Sequence, residues 1–455
     1  MTELTCFKSY DVRGRLGDNL DAGICARIGQ AFAEVMTPGL VVVGRDIRAS
    51  SPELQAALIE GLQAGGADVI DIGLVGTEEI YFATDHYGAG GGLMVTASHN
   101  PIDYNGIKMV RAGSRPISAE DDLPAIHDLA AAADFAPAPR RGTLRRDDPR
   151  AAYVTRVLSF VEVNALRPLT ILVNAGNGVA GPTFDAIAAA LAAAGAPLRF
   201  VRMHHAPDAT FPNGIPNPLL PENQPVTGNA VRAHGADFGV AWDGDFDRCF
   251  LFDETGAFIP GEYIVGLLAA AALEKTPGAR IVHDPRVMWN TRDVVAKGGG
   301  EAIASRTGHA LIKATMREVD AVYGGEMSAH HYFRDFMYCD SGMIPWLLVA
   351  ELVSRAKHRL SELVAAMRAA YPSSGEINFE LDDPATALDR VEAHYGPLAR
   401  HIDRLDGLSL DFEVWRLNLR ASNTEPVLRL NVETRGDPAL LDTKVAELRA
   451  TITGT

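Results

Sequence analysis

No stretch of this sequence is apolar for long enough to cross a bilayer. The longest run, Tyr263 to Leu273, stops at Glu274, short of the about 18 residues that suggest a span. Nor does the chain open with the basic and then apolar segments of a secretory signal, so a soluble, cytoplasmic protein without a membrane partner is expected. Cysteine is scarce: Cys6, Cys25, Cys249 and Cys339 are the only four, far apart and without C-x-x-C spacing. That excludes a zinc ribbon and a disulfide framework and fits a reducing compartment. Positive charge is short as well, since 42 Lys and Arg against 58 Asp and Glu leave a formal net charge of -16. Nucleic acid and anionic membranes both demand a basic surface, so both are excluded as partners. An anionic substrate would have to be met by cations gathered locally.

The chain of 455 residues is too long for one core, and roughly three to four domains follow at ~100 to 200 residues each. A strand-helix-strand grammar appears three times. Leu40 to Val43 leads into a helix with Ser51 as N-cap and Pro52 at its first position, then a strand over Asp68 to Leu74. Leu169 to Val173, an alanine-rich helix over Pro182 to Ala194 and a strand over Leu198 to Met203 repeat it, as do residues 280–283, 290–297 and 301–305. Three such units over a hundred residues apart predict three similar α/β domains. Turn-rich stretches at 136–150, 254–256 and 371–375 divide the chain into 1–148, 149–255, 256–370 and 371–455. The last piece mixes a helix over Ala385 to Tyr395 with strands such as Val427 to Val432.

Several loops carry chemistry. Residues 92–101 read Gly-Leu-Met-Val-Thr-Ala-Ser-His-Asn-Pro, a short buried strand ending in a turn, which puts Ser98 on a loop at a strand end. His99 beside it and Lys108 ten residues on are candidate proton handlers or phosphate partners. Asp243-Gly244-Asp245-Phe246-Asp247-Arg248 follows an apolar strand over Phe238 to Trp242; its three carboxylates repel unless a cation neutralises them, and hard oxygen ligands select Mg²⁺ or Ca²⁺. Gly176-Asn177-Gly178-Val179-Ala180-Gly181 is a formal G-x-G-x-x-G between a strand and a helix. A dinucleotide site wants an acid about 20 residues on; the strand there offers only Arg202, which keeps an NADP-dependent oxidoreductase as an alternative to a tight strand-to-helix turn. Tyr10-Asp11-Val12-Arg13-Gly14 reads as a polar turn, and Arg420-Ala421-Ser422-Asn423-Thr424-Glu425-Pro426 packs groups that match phosphate oxygens into one turn.

Taken together, these segments resemble the α-D-phosphohexomutases, the phosphomannomutase and phosphoglucomutase family, and do so in the family's order over nearly the whole chain. Thr96 to Pro101 is similar to the family's phosphoserine loop and Asp243 to Arg248 to its metal loop. Gly325-Glu326-Met327-Ser328-Ala329-His330 resembles its sugar-specificity loop, with Ala329 where a glycine is common, and residues 420–426 its phosphate-binding loop. The stretch through Tyr332-Phe333 and residues 338–342 is similar to bacterial phosphomannomutases of the GDP-mannose pathway. The resemblance implies three similar mixed α/β domains plus a smaller α+β C-terminal domain around a central cleft, the last domain closing to exclude water. It also implies interconversion of mannose 6-phosphate and mannose 1-phosphate through a phosphoserine at Ser98 and a hexose 1,6-bisphosphate, which serves as activator as well. Implied catalytic residues are Ser98, Arg13, His99, Lys108, Arg248 and His309. Implied substrate-binding residues are Tyr10, Arg286, Thr307, Gly308, Glu326, Ser328, His330, Arg420, Ser422, Asn423 and Thr424. Mg²⁺ would lie on Ser98, Asp243, Asp245 and Asp247. A phosphoglucomutase or dual-specificity enzyme, a phosphosugar phosphatase and a non-enzymatic phosphosugar sensor are the other readings; the oligomeric state is not implied.

Overall fold

The computed structural model describes residues 4–421 and 427–454. Its contacts gather the chain into two compact units: Met1–Phe258 with His330–Lys357, and Ile259–Ala329 with His358–Thr455.

The first unit opens with a mixed sheet. Asp11–Arg15, Tyr104–Arg111, Gly91–Val95, Leu40–Arg45, Asp68–Leu74 and Leu144–Arg146 lie side by side in that order. The first three pair antiparallel and the rest parallel. Successive side chains of a strand point to opposite faces, and both faces here are covered. Val41, Val43, Leu93 and Val95 join one apolar cluster while Val42, Met94 and Ile70 join the other, which is why these strands read as unbroken apolar runs. A second sheet in the same unit places Cys249–Asp253, Phe238–Trp242, Leu169–Asn174 and Leu198–Met203 in order, the first pair antiparallel and the others parallel.

In the second unit Arg280–His283 pairs parallel with Glu301–Ala304 on one side and Tyr323–Gly325 on the other. The apolar run that is too short for a membrane forms the helix Gly261–Lys275. It is apolar nearly all round because it is buried nearly all round, Tyr263, Ile264, Val265 and Leu268 alike. The C-terminal part is an antiparallel sheet ordered Ser373–Glu380, Val427–Thr434, Trp415–Ala421, Leu408–Asp411 and His401–Asp403. Leu417, Leu419, Leu428 and Leu430 on its buried face meet Val391 and Leu448 from its two helices. Among the described residues, no helix is long and apolar enough to cross a membrane.

Three local expectations are corrected. Tyr10 to Gly14 is not a turn: Asp11–Arg15 is a strand whose Arg13 stands opposite Gly106, and its polar residues serve the neighbouring loop rather than solvent. Residues 136–150 are not only a linker, since Leu144–Arg146 adds an edge strand to the first sheet. Ser51 does not cap its helix; it lies inside Ser51–Ala64, and its hydroxyl donates to Asp46 Oδ1 at 2.5 Å instead.

Candidate active site

Ser98 and Asp243 follow the carboxyl ends of Gly91–Val95 and Phe238–Trp242, the strand ends where open α/β sheets carry their sites. Ser98 is 4 % exposed and has φ of 48°, a left-handed conformation that non-glycine residues adopt only when their surroundings impose it. Here the surroundings do. Arg48, itself buried, donates to the carbonyls of Ser98 (3.0 Å), Asn100 (2.6 Å), Pro101 (2.8 Å) and Tyr104 (3.1 Å), so one guanidinium holds the whole loop. Sequence reasoning missed Arg48. Its signal was an arginine in the short connection after the strand Leu40–Arg45, Asp46-Ile47-Arg48, which says nothing of a partner fifty residues away.

Ser98 Oγ donates to Asp243 Oδ2 at 2.5 Å and lies 3.1 Å from His99 Nδ1. Arg248 donates to the same Asp243 oxygen through Nε (2.9 Å) and Nη2 (2.7 Å) and also to His99 Nδ1. Burial first, and then the cations Arg248 and Arg13, push His99 well below the usual histidine range, leaving it neutral with Nδ1 accepting. Lys108 Nζ reaches Asp245 Oδ2 at 2.8 Å and Asp247 Oδ2 at 2.5 Å. Burial alone would lower its pKa, but Asp245 and Asp247 outweigh it and the pKa is raised. Lys108 is thus an ammonium, unable to take a proton. Arg13 donates to Asp11 (2.7 Å) and to Asn100 Oδ1 (2.9 Å), which ties it to the Ser98 loop. Tyr10, half-buried, immediately precedes that strand.

The ligand oxygens of Asp243, Asp245 and Asp247 lie within 4.8 Å of one another. Asp243 Oδ1 and Asp245 Oδ1 are buried with no hydrogen-bond partner, although an orphaned buried acceptor costs about 1 to 3 kcal/mol. Two aspartates that each spend one oxygen on the protein and leave the other bare form a donor set suited to a hard cation, so the residues fit the metal expected there. Gly244 is required by proximity: a Cβ on it would stand 2.6 Å from the Ser98 carbonyl oxygen.

The glycine-rich turn at 176–181 serves the same loop. A Cβ on Gly178 would stand 2.7 Å from the Gly244 carbonyl oxygen, and Val179 N donates to that oxygen at 3.2 Å. The turn is packed against the aspartate loop, which corrects the dinucleotide alternative. His330 also belongs to this unit. Its Nδ1 meets Asp340 Oδ2 at 2.9 Å, and it forms with Asp340 and Asp247 a second group whose ligand atoms lie within 4.8 Å.

The second unit gathers the remaining predicted residues. Glu326, 2 % exposed, accepts from Arg286 Nη2 and Ser328 Oγ, each at 3.3 Å. Asp284 organises them: it accepts from Arg286 Nη2 at 2.8 Å and from Met327 N at 2.9 Å. Glu376 draws three guanidiniums together, Arg286 and Arg420 at 3.4 Å and Arg429 at 3.6 Å. The Nε groups of Arg286 and Arg420 are buried without partners, donors left over for an anion. Asp284 and Glu376 were missed because isolated acids carry no motif. Thr307 N donates to Asp406 at 3.2 Å; Gly308, with φ of 129°, precedes the helix His309–Val319. Ser422, Asn423 and Thr424 lie outside the described residues.

Comparison with known proteins matches all four parts of the chain to one family. Residues 5–136, 151–256 and 260–371 match the alpha/beta/alpha domains I, II and III described as phosphoglucomutase/phosphomannomutase, and residues 376–450 match that family's C-terminal domain. A phosphomannomutase of Salmonella typhimurium is 59% identical over 452 residues, 99% of each chain. A protein of Xanthomonas campestris called phosphohexose mutases is 56% identical, covering 99% of this chain and 100% of that one. Among solved structures, a phosphoglucomutase/phosphomannomutase family protein of Burkholderia thailandensis superposes with a TM-score of 0.87 at 32% identity, covering 100% of this chain and 98% of that one.

Proposed function

The chain belongs to the phosphoglucomutase/phosphomannomutase family, and on that premise we propose that it interconverts mannose 6-phosphate and mannose 1-phosphate through a phosphoserine at Ser98. It is an isomerase of the intramolecular phosphotransferase kind, in keeping with relatives called phosphomannomutase and phosphohexose mutases. The observation that carries the reading is Ser98 itself, a buried hydroxyl forced into a left-handed turn beside one oxygen of Asp243 while two neighbouring carboxylate oxygens stay bare.

In the first half-reaction the P–O bond to Ser98 Oγ breaks and a bond to the free sugar hydroxyl forms, giving a hexose 1,6-bisphosphate. The hydroxyl's proton leaves to a base, a role assigned to His309. Lys108, an ammonium, is the acid. In the second half-reaction the bisphosphate, turned end for end, returns its other phosphoryl group to Ser98. Added hexose 1,6-bisphosphate would restore enzyme that has lost its phosphoryl group, and so acts as activator. Arg248 and Arg13 offset the charge spread over the transferring group. Asp243, Asp245 and Asp247, with an oxygen on Ser98, would hold Mg²⁺, which when bound neutralises charge on the transferring phosphoryl oxygens. Glu326, Ser328 and His330 orient the sugar, the Glu326 carboxylate suiting a sugar diol, and Arg286 and Arg420 suit the phosphate that is not reacting. The product mannose 1-phosphate would supply GDP-mannose synthesis. The boundaries 1–148, 149–255, 256–370 and 371–455 are proposed for the four domains.

Mixing the protein with mannose 1-phosphate, Mg²⁺ and a trace of hexose bisphosphate tests this. A mutase accumulates mannose 6-phosphate with no free phosphate. A phosphatase releases phosphate, a sensor changes nothing, and either result rejects the proposal. Glucose 1-phosphate in the same assay measures how far the activity extends to glucose.

A further inference from the structure

Asp245 differs from its neighbours in being held from a loop that no motif marks. The helix Thr77–His86 begins against the aspartate loop: Thr77 Oγ1 donates to Asp245 Oδ2 at 2.6 Å and Thr77 N donates to the Asp245 carbonyl at 3.1 Å. Thr77 is fully buried. Gly76 before it has no room for a side chain, since a Cβ there would stand 2.2 Å from the Phe246 ring. Phe246 is itself buried and held at φ of 45°. The turn at 76–77 is therefore a mould for residues 245–246.

We propose that Thr77 is a positioning residue for the cation site, fixing the rotation of the Asp245 carboxylate so that Oδ1 faces the ion. This rests on the reading of Asp243, Asp245 and Asp247 as metal ligands. A carboxylate with two equivalent oxygens can turn about its terminal torsion at little cost. Here the Thr77 hydroxyl and the Lys108 ammonium both occupy Oδ2, and Oδ1 alone is left bare. Lys108 is a single flexible cation shared with Asp247, so it cannot fix the rotation by itself. Groups that orient metal ligands from behind typically govern affinity by roughly 10- to 100-fold.

The test is Mn²⁺ binding to the full-length protein, followed by the loss of the free-ion electron paramagnetic resonance signal, together with the melting temperature measured without metal. Wild type and Thr77→Ser, which keeps the hydroxyl, should bind alike. Thr77→Val, which keeps the shape, and Thr77→Ala, which tolerates a void, should each bind about 10- to 100-fold more weakly. A purely structural role would lower the melting temperature of Thr77→Val and leave its Mn²⁺ affinity at the wild-type value, and that result overturns the proposal. Failure of Thr77→Ser to restore binding lost in Thr77→Ala also overturns it. Asp245→Asn separates the two layers. Should it bind Mn²⁺ as wild type does, or should wild type bind none, the metal reading itself falls and this inference with it.

Discussion

The Ser98 loop is held by four donor contacts from one residue it does not neighbour, one of them to the Ser98 carbonyl itself, so the chemistry proposed for Ser98 depends on Arg48 as much as on its own hydroxyl. Replacing Arg48 by Met would leave the four carbonyls at 98, 100, 101 and 104 without their buried donor. Each unmet acceptor in such a place costs about 1 to 3 kcal/mol, partly recovered as the loop relaxes. Arg48→Met should therefore lose about 2 to 4 kcal/mol of stability in urea melts and at least about tenfold in kcat/KM. Arg48→Lys should sit between, because a single ammonium cannot reproduce a guanidinium fork; equal stability of Lys and Arg at this position would show that charge alone holds the loop. At this scale the sequence was legible where a motif is contiguous. Ser98, Asp243, Asp245, Asp247 and Arg248 could be picked out from two short segments. Arg48, Thr77, Asp284 and Glu376 could not, because what makes each matter is a contact with residues tens of positions away.

Elements built on apolar runs were read close to their true ends. Asp68–Leu74, Phe238–Trp242 and Arg280–His283 coincide with their predicted spans, since burial writes itself into composition; Leu198–Met203 coincides too, although none of its residues is buried. Asp11–Arg15 was not read as a strand because its side chains are chosen for the loop beside it. Burial inside such strands has a measurable consequence at His283. Burial lowers its pKa to about 4, with its Nδ1 bonded to the Asp284 carbonyl at 2.7 Å. The folded protein thus keeps His283 neutral at pH values where the unfolded chain, titrating near 6.5, has taken up a proton. Stability is full above about pH 6.5 and is lost as pH falls from there towards about 4. Melting temperature should decline over that window, and His283→Asn, which keeps a donor and cannot ionise, should flatten the decline. An unchanged slope would assign the pH dependence to other groups.

For the molecule as a whole, the net charge of -16 poses a problem for an anionic substrate, and both units solve it locally. The first surrounds Ser98 with Arg13, Lys108 and Arg248; the second gathers Arg286, Arg420 and Arg429 on Glu376. The number of similar α/β units could be read from the sequence. The strand orders could not, because pairings such as 11–15 with 104–111 join segments with no shared local signal. If one phosphate clamp serves a bisphosphate that reverses, Arg420→Ala should slow both directions by similar factors. Losing a charge-assisted hydrogen bond of ~1.5 to 3 kcal/mol predicts a loss of roughly 10- to 150-fold in kcat/KM. A loss confined to one direction would mean that the clamp reads only one phosphate position.

The central claim is that a phosphoryl group on Ser98 is lent to the sugar and recovered. Intact-protein mass spectrometry of a single turnover tests it most directly: phosphorylated protein is mixed with one equivalent of mannose 1-phosphate and the protein and sugar masses are followed together. The account predicts that wild type loses its phosphoryl adduct as hexose bisphosphate appears, that the adduct returns as mannose 6-phosphate forms, and that Ser98→Ala carries no adduct and turns nothing over. Turnover by Ser98→Ala, or an adduct lost to free phosphate with no bisphosphate formed, would contradict it.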